Sequence, residues 1–301
     1  MEEAFSMSRT IDKQRVVDAV AETLVTAGST YPEDKVRAYE RALAAETNER
    51  SQWVLRQLIE NGRAASSARR PLCDDTGIPH LYLEIGRSSS VSGELLEYIQ
   101  EGVAEGLRRL PGRPMAVRGE GDVRLAQSCG MYDDPGMLAP APIGLRYVDQ
   151  NVLRLSVLMF GGGPAIRGRS YRVFHRHDAQ VVKDQIVEWA VEACDKLGCT
   201  PCTLAIGIGR SHYEASNLML EAQVDGNYDR QGEFERQITD AVNSAGSGVL
   251  GLGGNTTVLA TFAKIGPARA SGVRIVCLRP CCCFEPRIAK VDLSEAVING
   301  E

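Results

Sequence analysis

Residues 246–287 read GSGVLGLGGNTTVLATFAKIGPARASGVRIVCLRPCCCFEPR, and the rest of the chain is interpreted around this stretch. It opens with a glycine-rich loop over 251–254. An apolar strand is then predicted over 273–278, and it runs into three adjacent cysteines at 281–283, with Arg287 four residues after the last of them. A strand that delivers thiols to a loop beside a guanidinium, which is a forked donor for carboxylates, predicts a metal centre next to an anion site.

The composition places the chain among globular proteins with a sizeable core: 301 residues, 44% of them hydrophobic and 24% charged. A net charge of -5 argues against the basic surface of a nucleic-acid-binding protein. No apolar run approaches the ~20 residues of a membrane span, and the N-terminal MEEAFSMSRTIDKQ is too polar for a secretory signal. We therefore predict a cytoplasmic protein that binds neither nucleic acid nor membrane.

Cysteine usage points to thiol chemistry rather than to disulfides. Nine cysteines spread through a long chain favour free thiols, metal ligands or catalytic groups in a reducing compartment. Three of them are predicted to pack as core thiols: Cys129, Cys194 and Cys277. The other six fall into three loops: Cys73, then Cys199 and Cys202, then the triplet at 281–283.

Apolar periodicity predicts an α/β fold with a helical N-terminal region, about residues 1–68, and an α/β core of mixed layers over about 69–293 that carries the cysteine loops. Together they would form one catalytic domain over 1–301. Within the core, residues 143–148 and 152–160 alternate like strands and could pair as a hairpin. Four charged residues of the helical region are predicted to face solvent: Arg37, Glu40, Arg41 and Glu46.

Two loops combine residue types that suit a binding site. Cys73, Asp74 and Asp75 directly precede a predicted strand at 80–85, either as functional groups or as an Asx-turn in which the aspartates bind backbone amides. Three glycines at 161–163 precede a segment with two arginines, which either contacts a carboxylate or phosphate or forms a plain surface turn.

Gly207-Ile208-Gly209 resembles the start of a dinucleotide-binding fingerprint. The third glycine of that fingerprint is replaced by His212, so the pattern is incomplete. By contrast, three well-separated thiol loops suit an iron–sulfur cubane in which one iron keeps an open position. An open iron can act as a Lewis acid on a substrate hydroxyl.

Five motifs, spread over roughly residues 40–293, resemble the cluster-bearing α subunit of the iron–sulfur-dependent class I fumarases and L(+)-tartrate dehydratases. The segment from Cys73 to Gly77 is similar to the family's Cys-Gln-Asp-Thr-Gly, and residues 161–170 are similar to its glycine triplet and Gly-Arg-Ser. Residues 199–209 resemble Cys-Pro-Pro with a downstream glycine run, and residues 251–257 resemble Gly-Leu-Gly-Gly-x-Thr-Thr. Cys283 with Arg287 resembles the last cluster cysteine and its arginine.

The resemblance implies a hydro-lyase that reversibly dehydrates a small 2-hydroxy dicarboxylate of the fumarate/malate or tartrate type. It implies a [4Fe–4S] cluster held by Cys73, Cys199 and Cys283. Cys202 competes with Cys199, and Cys281 and Cys282 compete with Cys283. Asp75 is the implied catalytic residue, which would orient the substrate or tune the group that transfers the proton. The implied substrate-binding residues are Asp74, Arg124, Arg169, Arg210, Asn255, Thr256 and Arg287.

The family's second, smaller domain is missing from this chain. The resemblance therefore implies a separate β subunit and an (αβ)2 assembly or a homodimer. The sequence also departs from the family: Asp74 replaces a glutamine, Phe262 replaces a histidine, Arg210 replaces a glycine, and the loop around Arg124 matches poorly. These positions belong to the substrate side.

Two other classes stay open. The departures would suit a divergent iron–sulfur or zinc-binding α-like protein without hydratase activity. The glycines at 161–163 or 207–209 would suit a nucleotide-binding enzyme, although the chain has neither a phosphate-binding Gly-Lys-Ser/Thr loop nor the complete dinucleotide pattern.

Overall fold

The computed structural model describes residues 9–299, and contacts divide them into two units. The first unit comprises the residues up to Ser29, then Arg69–Met159, and the residues from Ile288 onward. The second unit comprises Thr30–Ala68 and Phe160–Arg287. The first eight residues, where the sequence predicts no secretory signal, lie outside the described part, and the single domain over 1–301 stays a prediction.

Helices and strands alternate through most of the chain, which confirms the predicted α/β class and the helical N-terminal region. The described helices are α1 (Lys13–Ser29), α2 (Glu33–Ala45), α3 (Glu49–Ala68), α4 (Gly93–Arg109), α5 (Gly121–Leu125), α6 (Gly162–Arg167), α7 (Ala179–Leu197), α8 (His212–Asp225) and α9 (Glu233–Ala245). The described strands are β1 (Arg9–Ile11), β2 (Ile78–Gly86), β3 (Gly144–Val148), β4 (Leu153–Phe160), β5 (Arg169–Phe174), β6 (Cys202–Gly209), β7 (Val258–Ile265), β8 (Val273–Cys281), β9 (Ile288–Asp292) and β10 (Val297–Asn299). No helix among them has an apolar stretch long enough to cross a bilayer.

Local sequence signals place the helix ends. The Ser92 hydroxyl accepts a hydrogen bond from the Leu95 amide and begins α4, as its position before an apolar stripe predicts. Asp178 does the same for α7, accepting from the Gln180 amide. The α7 helix ends at Gly198, whose φ of 72° is in the left-handed region that glycine adopts without a Cβ clash.

In the first unit, a four-stranded sheet has the order β3-β2-β4-β9, and helices α1 and α4 pack over an apolar core. The predicted hairpin between β3 and β4 is wrong, because β2 lies between them and pairs parallel with β3. The reason is burial. Strand β4 is buried along nearly its whole length and takes an interior position, whereas β3 exposes Leu145 and Tyr147 at the sheet edge.

In the second unit, the sheet order is β5-β8-β6-β7, with β6 and β7 parallel and the other pairs antiparallel. Helices α7 and α9 cover one face through a core that includes Ile186 and Ile238, and α8 packs against β6 on the sheet. A smaller buried cluster joins Ala38 of α2 to Phe262 of β7 and to Tyr228. Phe262, a departure from the family, therefore packs as a core residue.

Gly207 lets strand β6 approach helix α8 more closely than any side chain would allow. A Cβ at this position would lie 1.9 Å from the Ala215 carbonyl oxygen and 2.4 Å from the Met219 nitrogen. Both are backbone atoms, so the helix would have to move. This packing accounts for the glycine that the sequence associates with a dinucleotide fingerprint.

We expect Gly207→Ala to lower the free energy of unfolding by about 3 kcal/mol, because overpacking of backbone against backbone forces β6 and α8 apart. Urea unfolding followed by circular dichroism measures the change. Gly272→Ala is the matched control, because nothing lies within 4 Å of its Cβ position. Equal stability of the two variants would contradict the assigned packing.

Candidate metal centre

The triplet at 281–283 lies where strand β8 ends, next to the loop that joins α7 to β6. The Cys283 amide donates a hydrogen bond of 2.9 Å to the Cys199 carbonyl oxygen, which joins the two loops directly. Cys199 is exposed, Cys282 is half-buried and Cys283 is buried. Two of the three predicted cluster ligands therefore lie together in the second unit.

The thiols of the triplet differ in their surroundings. The Cys281 thiol is wholly buried at the end of β8 and donates to the Gln223 side-chain oxygen at 3.4 Å, and burial raises its pKa. The Cys283 thiol donates a hydrogen bond to the Cys282 sulfur, which lowers the pKa of Cys282 and raises that of Cys283. The positive charge of Arg287 also lowers the pKa of Cys282.

Four buried charged residues surround this loop, and we call them the charge cluster: Lys35, Arg279, Glu285 and Arg287. The Glu285 carboxylate accepts from Arg279 Nη2 at 2.9 Å and from the Gly161 amide, and it lies 3.7 Å from Arg287 Nη2. Lys35 Nζ donates to the Glu285 carbonyl oxygen at 2.6 Å. Burial lowers the pKa of Lys35 to about 8, so its ammonium group is still mainly protonated at neutral pH.

The charge cluster has more positive than negative charge. Three cationic side chains surround one carboxylate, and each is at most 5% exposed. Buried charge is costly unless it is paired, and the cysteine thiols of 281–283, once ionised, would supply further negative charge to Lys35 and Arg279. Soft thiolate donors in a cationic environment fit an anionic, thiolate-ligated iron–sulfur cluster.

The side chain of Tyr39 and the stacking of Arg279 fix the loop further. The Tyr39 hydroxyl donates to the Cys283 carbonyl oxygen, and the Arg279 guanidinium lies 4.1 Å from the centre of the Phe160 ring. Arg279 Nη2 also donates to the Gly161 carbonyl oxygen at 3.2 Å. The loop that carries Cys283 is thus held by strand β8, by α2 and by the start of the 161–163 segment.

The glycine-rich loop is fixed by the turn between α2 and α3. The Glu46 carboxylate accepts hydrogen bonds from the Thr47, Asn48 and Asn255 amides, and the Ser51 hydroxyl donates to the Gly253 carbonyl oxygen. A Cβ at Gly254 would lie 2.5 Å from that carboxylate. Glu46 is 3% exposed, so its predicted solvent-facing position is wrong. The exposed positions of Arg37, Glu40 and Arg41 are confirmed.

Asn255 and Thr256, which are predicted to bind substrate, follow the glycine-rich loop and are positioned by these contacts. Asn255 Nδ2 donates to the Ala45 carbonyl oxygen at 3.0 Å, so its amide serves the α2 terminus. Thr256 is 9% exposed. Directly before the loop, the Leu250 amide donates a hydrogen bond of 2.8 Å to the Thr200 hydroxyl. This bond places the glycine-rich loop next to the residue after Cys199.

The Cys73 loop belongs to the first unit. Its sulfur lies 3.5 Å from Asp74 Oδ1, and Arg113 Nη2 donates to Asp74 Oδ2 at 3.0 Å. Asp75 is half-buried. Arg124 is exposed in the same unit, and its Nε donates to the Gly119 carbonyl oxygen at 2.6 Å.

Two predicted substrate arginines lie elsewhere in the second unit. Arg210 follows β6 at the end opposite Cys202, about 25 Å along an eight-residue strand, and its guanidinium binds Glu214. The structure therefore does not bring Arg210 to Cys199 and Cys283, because the intervening strand is extended. Arg169 stacks on Trp189 at 5.2 Å and pairs with Glu192 at 3.1 Å, both on helix α7.

The remaining cysteines divide into core and surface. Cys202 is wholly buried in β6, with its sulfur 3.3 Å from the Cys194 sulfur. Cys194 and Cys277 are buried, as predicted. Cys129 is exposed, so its predicted core position is wrong: its segment, unlike those of the other two, has no apolar periodicity to bury it.

Sequence reasoning missed Lys35, Tyr39, Arg279 and Glu285. The available signal was the pair of charges that flanks the cysteine triplet, since Arg279 and Glu285 interrupt an otherwise apolar segment. Over residues 9–299, no three His, Cys, Asp or Glu side chains have the arrangement of a metal site. The two units each contribute predicted ligands, Cys73 in the first and Cys199 and Cys283 in the second.

Comparison with known proteins extends over most of the chain. The family model described as fumarate hydratase (Fumerase) matches residues 17–292. A Methanocaldococcus jannaschii protein named by inference as an L(+)-tartrate dehydratase α subunit is 28% identical over 275 residues, which covers 88% of this chain and 94% of that protein. The L(+)-tartrate dehydratase α subunit of Escherichia coli K12 is 25% identical over 260 residues, covering 81% and 80% of the two chains.

Proposed function

Because the chain belongs to the fumarate hydratase (Fumerase) family, a family of hydro-lyases, we propose that it is the cluster-bearing α subunit of an enzyme that reversibly dehydrates a small 2-hydroxy dicarboxylate. The substrate would be of the fumarate/malate or tartrate type. The observation that carries this proposal is the charge cluster: three buried cations and one carboxylate beside a thiol loop favour an anionic cofactor at this place.

The proposed ligands of a [4Fe–4S] cluster are Cys73, Cys199 and Cys283. The direct hydrogen bond between the Cys283 amide and the Cys199 carbonyl supports the last two as neighbours. Cys202 is a poorer ligand than Cys199 because its thiol is buried against Cys194 inside the core of the second unit. Within the triplet, Cys282 is the alternative to Cys283, since the two thiols share a hydrogen bond.

When bound, such a cluster supplies a Lewis-acidic iron that polarises a substrate hydroxyl. The chain's own residues bind and orient the acid. In the proposal, Arg287 supplies positive charge for a carboxylate, helped by the exposed guanidinium of Arg124. Asn255 and Thr256 border the site from the glycine-rich loop, and Asp74 belongs to the substrate side. Asp75 orients the substrate or tunes the group that takes the proton from carbon. Arg169 and Arg210 are further carboxylate-binding residues of the proposal, and each would exchange its present glutamate partner, Glu192 or Glu214, for the substrate.

The relatives' names carry the word "alpha", which implies a partner subunit. We propose that a separate β subunit completes the substrate site, in an (αβ)2 assembly or a homodimer, in the cytoplasm, whose reducing conditions keep thiols free. The chain alone would then bind the cluster but turn over slowly.

One observation favours a second candidate function, a divergent iron–sulfur or zinc-binding α-like protein without hydratase activity. Asp74 replaces the glutamine of the family motif and places a carboxylate oxygen 3.5 Å from the Cys73 sulfur. A carboxylate raises the cost of the thiolate that iron needs, and it occupies the substrate side of the loop. The nucleotide-binding alternative loses support because the glycine at 207 is required by the packing of α8.

Iron content and hydratase activity, measured for the wild type and for Asp75→Asn, separate the two candidate functions. We expect anaerobically purified protein, co-expressed with its β partner, to contain about four iron atoms per α chain and to hydrate fumarate or dehydrate tartrate or malate, followed by alkene absorbance. The variant should keep its iron and lose activity about 100-fold or more, because the carboxylate that orients the substrate or tunes proton transfer is removed while the cluster ligands stay. Iron without activity in the wild-type pair, on every acid assayed, would favour the second candidate. Absence of iron from protein never exposed to air would refute the hydro-lyase proposal and leave the second candidate.

A further inference from the structure

A groove of about 650 Å³ runs along strand β5 beside helix α7 in the second unit, and we call it the edge groove. All six residues of the strand contribute to its lining, from Arg169 to Phe174. The opposite wall is formed by Val181, Gln185 and Trp189 of α7. At about 3.3 Å per residue, the groove follows the strand for roughly 20 Å. Its shape therefore suits an extended occupant better than a compact one.

Strand β5 is an edge strand in the described sheet, since it pairs with β8 on one side only. The backbone N–H and C=O groups of alternate residues therefore point away from β8. Two large side chains on the strand are also exposed, Tyr171 by 50% and Phe174 by 57%. An open edge with exposed aromatic residues is the kind of surface to which another strand adds by backbone hydrogen bonds.

The edge groove is positively charged. Arg172 lies over the rings of Tyr171 and Phe174, with its guanidinium carbon 5.3 and 5.7 Å from the ring centres. Arg176, in the turn that follows β5, lines the same groove. Neither arginine has a carboxylate within ion-pair distance among the residues that the structure describes, whereas Arg169 is already paired with Glu192. Two uncompensated guanidinium groups select an anionic occupant.

We propose that the edge groove binds an extended acidic segment of a partner polypeptide, which adds as a strand to the free edge of β5. Its backbone pairs with β5, and its carboxylates bind Arg172 and Arg176. A second copy of this chain pairing through β5 would bring the same arginines face to face, and like charges disfavour that arrangement. The proposal is independent of the hydro-lyase function, because none of these residues is assigned to the cluster or to proton transfer.

The test uses the full chain and a blocked octapeptide of alternating glutamate and valine. Trp189 lines the groove and the other tryptophan is Trp53, so a Trp53→Phe background makes Trp189 the single fluorescent reporter. We expect saturable binding that weakens as NaCl rises. Arg172→Ala and Arg176→Ala should each weaken binding about fivefold, the equivalent of roughly 1 kcal/mol for one ion pair.

Three comparisons make the test decisive. Arg56→Ala, an exposed arginine of α3 outside the groove, should leave binding unchanged. A lysine-valine octapeptide should not bind, and an acidic peptide N-methylated at alternate residues should bind at least tenfold more weakly, because it cannot pair with the strand edge. Equal binding of the N-methylated peptide would overturn strand addition. Absence of binding by the acidic peptide would overturn the whole proposal, and the arginines would then serve to prevent aggregation at an exposed sheet edge.

Discussion

Cys283→Ala is expected to reduce the iron and acid-labile sulfide of anaerobically purified protein from about four of each per chain to near zero. The change removes a predicted cluster ligand beside the charge cluster, and the Cys283 amide still binds the Cys199 carbonyl, so the loop keeps its backbone contact. Cys199→Ala should have the same effect. Iron and sulfide assays, with the visible absorbance of the cluster, measure it.

The neighbouring cysteines provide matched controls. Cys202→Ala should keep its iron, because that thiol is packed against Cys194 inside the core. Cys282→Ala should also keep it, although the hydrogen bond from Cys283 is lost. Retention of iron in Cys283→Ala together with its loss in Cys282→Ala would transfer the ligand to position 282. Loss in Cys202→Ala but not in Cys199→Ala would reverse the other assignment.

Glu285→Gln should lower the free energy of unfolding by about 3–5 kcal/mol, which is the cost of leaving buried charges without their partner. The substitution preserves the shape of the side chain but removes the only carboxylate of the charge cluster. That carboxylate accepts hydrogen bonds from Arg279 and from the Gly161 amide. Three cationic side chains would then stay buried with no counter-ion among them. Urea unfolding of the cluster-free protein gives the value without a contribution from iron.

An exposed ion pair provides the reference for this change. Glu22→Gln removes the partner of Arg69 at a site where both side chains are more than half exposed. Such pairs contribute little because water and salt screen them, so a change below about 1 kcal/mol is expected. A similarly small effect for Glu285→Gln would mean that the charge cluster is solvated in solution, and the argument for an anionic cofactor beside it would fail.

The parts of the fold that the sequence predicts are those that local chemistry controls. Ser92 and Asp178 begin helices because a short polar side chain can bind the free amides of the first turn, and Gly198 ends one because it adopts a left-handed conformation. The sequence also predicts that the thiols lie in loops, since each of them follows or precedes a strongly apolar segment.

The parts that the sequence does not predict depend on distant contacts. Lys35 and Glu46 lie in charged stretches that are typical of solvent-facing helices, and their burial results from partners 250 and 209 residues away. The strand order of the first sheet has the same origin, because the position of β4 is decided by β9 rather than by its neighbour along the chain. A motif predicts that Arg210 binds substrate, and the motif carries no information on the extended strand that separates this residue from the thiols.

The bond between Glu46 and the Asn255 amide also constrains when the glycine-rich loop can become ordered during synthesis. Its two ends are 209 residues apart, so the acceptor emerges from the ribosome long before the donor exists. Contacts of such separation carry a large loop-closure cost and form late. The glycine-rich loop at 251–254 therefore reaches its final arrangement only after residue 255 has been made. The same holds for the segment next to Cys199, because Leu250 binds it through Thr200. Cofactor insertion would then follow, rather than accompany, translation.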